Sequence, residues 1–293
     1  MYFFKYFAKT YFHIRKNLLH SYYKPYRLSG IFLCRRAKNE KWKFQSTGLC
    51  MHGSANLDCT KSRAEMRHTM RYFFTGKIEQ LNDIYSIHIP FNVWEVCKQR
   101  DVIQAEIILD NKIIDCHLLP EDKGGNYKIH LQDEEVSHVD ISKPHKILLH
   151  ISSSIIQMNQ NSPYSFDNPI RKIDSMEVII QPEDGLCGQT CVAMLAGITI
   201  AEVVSVMDCR EWQATMGRVI SALNYYGIDH SDIIIYTEGQ EATLPKCCIM
   251  MERMGRYCHY LVHYDGKYYD SNLGVISHYD MSKLLGYLEV KVD

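Results

Sequence analysis

Six short segments of alternating character between residues 71 and 151 constrain the fold of this chain more than any other feature. Each is rich in β-branched or aromatic residues and is bounded by turn residues, which is typical of half-buried strands. The predicted strands are 72–78, 85–89, 102–109, 112–119, 127–131 and 146–151. Asp110-Asn111 predicts a tight hairpin and residues 122–126 a looser one. These strands predict a small closed or nearly closed β-barrel over residues 70–151.

A helix and two motifs complete this barrel region. The stretch 91–99 follows Pro90 and predicts one short helix, with Val93, Val96 and Cys97 on a common face. The IPFNVWEV motif between two strands and the LLPEDKGGNYKIHL hairpin resemble a small bacterial β-barrel family of unknown function. That resemblance implies a fold and no activity, and it leaves open that the barrel binds a partner or a substrate.

Charge is distributed unevenly along the chain. The formal net charge is −1, but residues 1–69 hold 14 Lys and Arg against 3 Asp and Glu, a net charge of +11, and the remainder carries −12. Three interpretations of residues 1–69 remain open: an arm for membrane surfaces or nucleic acid, a disordered basic tail, or a stretch upstream of a true translation start at Met66 or Met70. We favour the third, because a clean strand pattern begins directly after Met70. The intact mass of natively expressed protein tests it.

The remainder of the chain predicts a linker followed by an α+β domain. Residues 152–174 are rich in Ser, Asn and Pro without a helical or strand period, which is typical of a linker. In residues 175–293 the pattern predicts a strand at 176–180, helices at 187–196, 199–207 and 215–226, and strands at 233–236, 247–252, 257–264 and 267–270. Helices followed by antiparallel strands indicate an α+β fold.

Composition indicates a globular, cytoplasmic protein. Hydrophobic residues make up 46% and charged residues 23%, which excludes a collagen-like or wholly disordered chain. The 11 cysteines are odd in number and scattered, as expected in a reducing compartment. No apolar run approaches the roughly 18 to 20 residues of a membrane span, and no secretory signal is recognisable. We therefore expect no membrane span.

The segment QPEDGLCGQTCVAML, residues 181–195, carries the first half of a candidate active site. Cys187 stands at the entry of a predicted helix, where the positive end of the macrodipole favours a thiolate. Its backbone N–H and the side-chain amide of Gln181, six residues earlier, are suited to hold the oxyanion that forms when a thiolate attacks a carbonyl.

The second half is the predicted hairpin 258–272. If Asp265-Gly266 forms a two-residue turn, His259 lies opposite Asn272, and Asp270 returns to the same face. The imidazole and the carboxylate then meet diagonally, at about 7 Å between backbones, within side-chain reach. This supplies the base and the orienting group that a cysteine nucleophile requires.

These residues resemble the papain-like cysteine peptidase superfamily, and in detail its bacteriocin-processing (double-glycine leader) group. The resemblance covers about residues 176–293 and implies a papain-like α+β fold, a protein or peptide substrate and no cofactor. It implies that Gln181 is the oxyanion glutamine, Cys187 the nucleophile, His259 the general base and acid, and Asp270 the orienting residue. Asn272 is a secondary candidate. The group's members are commonly fused to a membrane-spanning exporter, and their His-to-Asp spacing is longer than here.

Several alternatives remain open at this point. Cys191 lies one turn after Cys187 and is the rival nucleophile, although its apolar neighbours favour a core position. Cys187, Cys191, Cys258 and His259 offer four soft metal ligands, but a Cys-x3-Cys helix is a poor zinc knuckle. A thiol-dependent acyltransferase or amidase would use the same triad. A non-catalytic binding module that retains these residues is a further alternative. The acidic surplus of residues 175–293 mildly favours a basic substrate segment and makes nucleic acid an unexpected partner.

Overall fold

A computed structural model describes residues 70–82, 84–154, 161–254 and 257–292. All of these residues belong to one compact unit. The predictions for residues 1–69, including the start at Met66, lie outside the described residues.

Six strands form the barrel. They are β1 (Arg71–Leu81), β2 (Ile84–His88), β3 (Ile103–Leu109), β4 (Lys112–Pro120), β5 (Tyr127–Leu131) and β6 (Pro144–Ile151). Neighbours pair antiparallel in the order β1-β2-β5-β4-β3-β6, and pairing of β1 with β6 closes the barrel. The Asp110-Asn111 turn has both residues at positive φ, which the twist of a two-residue hairpin requires. The predicted strands, hairpin and closed barrel are confirmed.

The barrel interior is filled by the apolar residues of the alternating pattern. Phe74, Ile87, Ile107 and Ile129 are fully buried, while their sequence neighbours face outward. Gly76 is needed in this packing, because a Cβ there would lie 2.8 Å from the Ile87 side chain.

The predicted helix at 91–99 is wrong. Only Val93–Glu95 forms a 3-10 turn, capped by the side chain of Asn92, which accepts a hydrogen bond from Trp94 N at 2.9 Å. The Trp94 indole donates to the Tyr127 hydroxyl, and the Arg100 guanidinium lies over its ring. These tertiary contacts outweigh the helical periodicity. A one-turn helix, α1 (Asp133–Val136), was not predicted.

Three helices follow, and all three were predicted. They are α2 (Cys187–Ala196), α3 (Ile200–Met207) and α4 (Met216–Tyr225). Gly197 ends α2 in the left-handed conformation, and Thr199 with Glu202 forms the capping box of α3. Thr215 caps α4.

Six further strands complete the sheet: β7 (His230–Tyr236), β8 (Cys247–Met254), β9 (Tyr257–Tyr264), β10 (Lys267–Asp270), β11 (Gly274–Ile276) and β12 (Leu284–Val290). Their order is β11-β10-β9-β8-β12-β7. Strand β7 also pairs parallel with β1, so the second half of the chain continues the barrel sheet into one sheet of 12 strands.

The prediction of an α+β, papain-like fold is wrong. The described residues are mostly β, with 40% in strands and 18% in helices, which points to a β-rich fold. The sequence pattern missed β11 and β12 and did not anticipate the pairing of β1 with β7. The strand predicted at 176–180 is also wrong, since none of these residues belongs to a strand of the described sheet.

Residues 161–174, inside the stretch predicted as a linker, lie against the helices. Ile170 N donates to Tyr226 O at 2.9 Å. The Arg171 side chain donates to the carbonyls of Met194 and Leu195 at 2.9 Å each, which satisfies the open C-terminal end of α2.

No described helix alone has the length and apolar character to cross a membrane. Only α2 and α3 counted together, with a 113° bend between them, meet that test of length and composition.

Removal of a barrel core side chain tests this fold. We expect Phe74→Ala to lower the free energy of unfolding by about 3–5 kcal/mol, because it leaves a cavity in a fully buried site. Ile113→Ala on β4 is the matched control: its side chain is 58% exposed, and we expect a change below about 1 kcal/mol. Chemical denaturation followed by circular dichroism measures both. An equal loss of unfolding free energy in the two variants would contradict the place of Phe74 in the barrel interior.

Candidate active site

Helix α2 places Cys187 at its first residue. Every residue of α2 is buried, so the helix is fixed on all sides. Gly188 lets the first turn of α2 lie close to Ala214 and Tyr260. A Cβ at residue 188 would lie 2.6 Å from the Ala214 Cβ and 3.4 Å from the Tyr260 ring. The sequence Cys-Gly thus combines the candidate nucleophile with the small residue that its position requires.

The β9–β10 hairpin positions His259 and Asp270. Asp265 and Gly266 both have positive φ, and the strands pair Tyr264 with Lys267 and Leu261 with Asp270. These pairs confirm the predicted hairpin register as far as Asp270. The predicted pairing of His259 with Asn272 does not form, because β10 ends at Asp270 and Asn272 lies in the turn that follows. His259 Nε2 and Asp270 Oδ2 lie 2.9 Å apart.

His259 also lies near enough to Cys187 for this cysteine to raise the pKa of the imidazole. Since Nε2 already contacts Asp270, Nδ1 is the ring atom that remains for the thiol. Burial lowers the pKa of His259, but the hydrogen bond with Asp270 and the interactions with Cys187 more than offset burial and raise the pKa from 6.5 to about 10. The imidazole is therefore protonated at neutral pH.

Asp270 is held in its ionised form. Burial raises the pKa of this carboxyl, but hydrogen bonds from His259 and from two backbone N–H groups outweigh burial and lower the pKa overall. The two backbone donors are Asn272 N and Leu273 N, at 2.7 and 3.0 Å from Oδ1. Three hydrogen bonds thus fix the carboxylate, and it fixes the imidazole in turn.

Gln181 and Asn272 extend the same network. Gln181 N donates to Ser271 O at 2.9 Å, which seats residue 181 beside the end of β10. The Gln181 side-chain amide donates to Asn272 Oδ1. The five candidate residues therefore form one connected set, in the order Cys187, His259, Asp270, Asn272 and Gln181.

Two buried oxygens beside this set lack partners. Within the described part of the chain, neither Gln181 Oε1 nor Ser271 Oγ has a hydrogen-bond partner. Such atoms cost free energy, and natural proteins retain few of them outside functional sites. Gln181 itself is 8% exposed, so water does not fully compensate.

The rival residues lie in other environments. Burial raises the pKa of the Cys191 thiol well above its usual range, which keeps it protonated. His263 Nδ1 lies 2.9 Å from Pro245 O, and burial lowers the pKa of its ring. Among the residues that the structure describes, no three His, Cys, Asp or Glu side chains are grouped to hold a metal ion.

Three residues near the site were missed at the sequence level. Glu252 pairs directly with His259 across β8 and β9, which only the strand register reveals. Tyr257 precedes His259 by two residues and was predicted in a strand, so its place on the same face of β9 was deducible. Trp212 lies in the loop between α3 and α4, and no sequence pattern relates it to Cys187.

No protein-family model matches this chain. A comparison with curated proteins gave no match either. The resemblance carried by Gln181, Cys187, His259 and Asp270 therefore stays a prediction.

The charge of Asp270 should control the His259 titration. We expect Asp270→Asn to lower the pKa of His259 by about one unit or more, because the amide cannot balance an imidazolium. NMR of the histidine side chains measures the His259 titration in the wild type and in Asp270→Asn. His263 is the internal control and should not change.

The same pair predicts a pH window for stability. The folded-state pKa of His259 lies above 6.5, so its contribution to the free energy of unfolding is full below pH 6.5 and is lost as pH rises toward about 10. Asp270→Asn should flatten that part of the curve. An unchanged His259 titration in the variant would contradict the pairing.

Proposed function

We propose that this protein is a cysteine peptidase that cleaves a peptide or isopeptide bond. The position of His259 carries the proposal, because this residue lies beside Cys187 and is hydrogen-bonded to Asp270. A nucleophile, a base and an orienting group in contact are the requirement for covalent catalysis by a thiol. The proposal does not depend on the fold class, because such a set of residues recurs on unrelated folds.

The first step is attack by the Cys187 sulfur on the substrate carbonyl carbon. An imidazolium in contact with a thiol favours the thiolate, and so does the N-terminal end of a helix. The His259 imidazolium holds the proton that the thiol gives up. A carbon–sulfur bond forms, and the carbonyl π electrons move to oxygen.

The oxyanion needs hydrogen-bond donors that are already in place. As the first residue of α2, Cys187 has a backbone N–H that the helix cannot use internally. The Gln181 amide has two N–H groups, and the contact with Asn272 occupies one of them. The second is suited to the oxyanion, and Asn272 acts as the residue that positions this amide.

Collapse of the intermediate breaks the carbon–nitrogen bond. His259 donates its proton to the departing amine, which leaves a thioester on Cys187. Neutral His259 then accepts a proton from water, whose oxygen attacks the thioester. The second tetrahedral intermediate collapses with cleavage of the carbon–sulfur bond, and the acid product leaves. His259 keeps the proton taken from water, which restores the thiolate and the imidazolium.

Selective alkylation tests the nucleophile. With iodoacetamide at pH 7, we expect Cys187 to react at least about tenfold faster than Cys258, although Cys258 is the more exposed thiol. Burial raises the pKa of Cys258 to about 12, so exposure and activation make opposite predictions here. We expect His259→Ala to reduce labelling of Cys187 by about 100-fold. Mass spectrometry of the peptides measures the rates.

His263→Ala is the matched control, because His263 lies on the same strand but its Nδ1 contacts Pro245 O, at 2.9 Å. It should leave labelling unchanged. Even labelling of all cysteines, or equal losses in the two histidine variants, would overturn the proposal. Mapping of new protein N-termini after expression of the wild type and Cys187→Ala then identifies substrates.

A further inference from the structure

Trp212 is a large apolar residue held at the surface. Its side chain is 52% exposed, and its backbone has a φ of +61°, a region that a bulky residue rarely adopts. Its indole lies on Gly185: a Cβ at Gly185 would lie 2.7 Å from the ring. Gly185 is two residues before Cys187, so the indole borders the segment that leads into the candidate nucleophile.

Several contacts clamp the loop of Trp212 onto the start of α2. Trp212 N donates to Gly185 O at 2.8 Å. The buried side chain of Gln189 donates to Arg210 O at 3.1 Å. These bonds place the loop rigidly and leave the indole outside the core, so core packing does not explain its exposure.

The exposed indole continues into a second aromatic residue. The rings of Trp212 and Tyr257 have centroids 5.4 Å apart and are inclined by 51°. Tyr257 is 42% exposed, and its cross-strand partner Met254 is 47% exposed. Tyr257 is two residues before His259 on β9 and lies on the same face. We call these three side chains the aromatic wall.

We propose that the aromatic wall, formed by Trp212, Tyr257 and Met254, binds an apolar side chain of the peptide substrate close to the scissile bond. The inference rests on the proposed function. The wall borders the segments that carry the candidate residues. Trp212 lies on Gly185, two residues before Cys187, and Tyr257 is two residues before His259 on β9. A substrate whose carbonyl reaches Cys187 therefore passes the wall within a few residues.

Aromatic surfaces of this kind bind apolar side chains by removing both from water. Burial of one Phe or Leu side chain is worth about 1.5–3 kcal/mol, which corresponds to about tenfold or more in binding. Trp212 supplies the largest surface of the three. It is therefore the specificity-determining residue.

The test uses a synthetic peptide library randomised at six consecutive positions. Cleavage by the wild type should show one position where aromatic or aliphatic residues are enriched. Two peptides that differ only there, Phe against Ser, are then compared. We expect Trp212→Ala to lower kcat/KM about tenfold for the Phe peptide and less than about twofold for the Ser peptide. Trp212→Phe should restore most of the loss.

Two controls separate this inference from the proposed function. Iodoacetamide is too small to need the wall, so Trp212→Ala should label at Cys187 as fast as the wild type. Ile113→Ala removes an exposed apolar side chain on β4 and should not change kcat/KM for either peptide. Suppose that Cys187 of Trp212→Ala is labelled at the normal rate. If kcat/KM then falls equally for the Phe and Ser peptides, or if the library shows no enriched position, the aromatic wall alone is overturned. Absence of selective labelling or of any Cys187-dependent cleavage would overturn both proposals.

Discussion

The candidate site depends on the turn at Asp265-Gly266. Two consecutive residues at positive φ set the register of β9 against β10, and a shift by one residue would move His259 or Asp270 to the opposite face. The hydrogen bond between these side chains follows from that register. The turn therefore decides whether a base and its orienting carboxylate meet at all.

Burial of this pair makes the rest of the network necessary. A carboxylate and an imidazolium removed from water cost free energy unless every remaining lone pair and N–H finds a partner. Asp270 meets this need through His259 and through the backbone N–H groups after β10, and His259 lies beside Cys187. Gln181 is the exception, because its Oε1 is buried without a partner in the described part of the chain.

Local sequence patterns predicted the strands, the helices and the site residues better than they predicted the overall fold. Alternation and turn residues were sufficient for the six barrel strands, and caps such as Thr199 and Gly197 defined the helices, because these signals act over a few residues. The set of Cys187, His259, Asp270, Asn272 and Gln181 was also deducible, since one turn fixes the hairpin. The fold class was not deducible, because the pairing of β1 with β7 joins residues far apart in the chain. Such pairing produces no periodic pattern in the sequence. Trp212 was missed for the same reason: its contact with Gly185 is tertiary.

The shared sheet gives the barrel a structural connection to the chemistry. From β1 the hydrogen-bonded order runs through β7, β12 and β8 to β9, which carries His259. Phe91 of the barrel also stacks on Tyr236 of β7, with ring centroids 4.5 Å apart. A sheet transmits position through its ladder, since each strand is held by both neighbours. The barrel thus supports the strand that carries the candidate base.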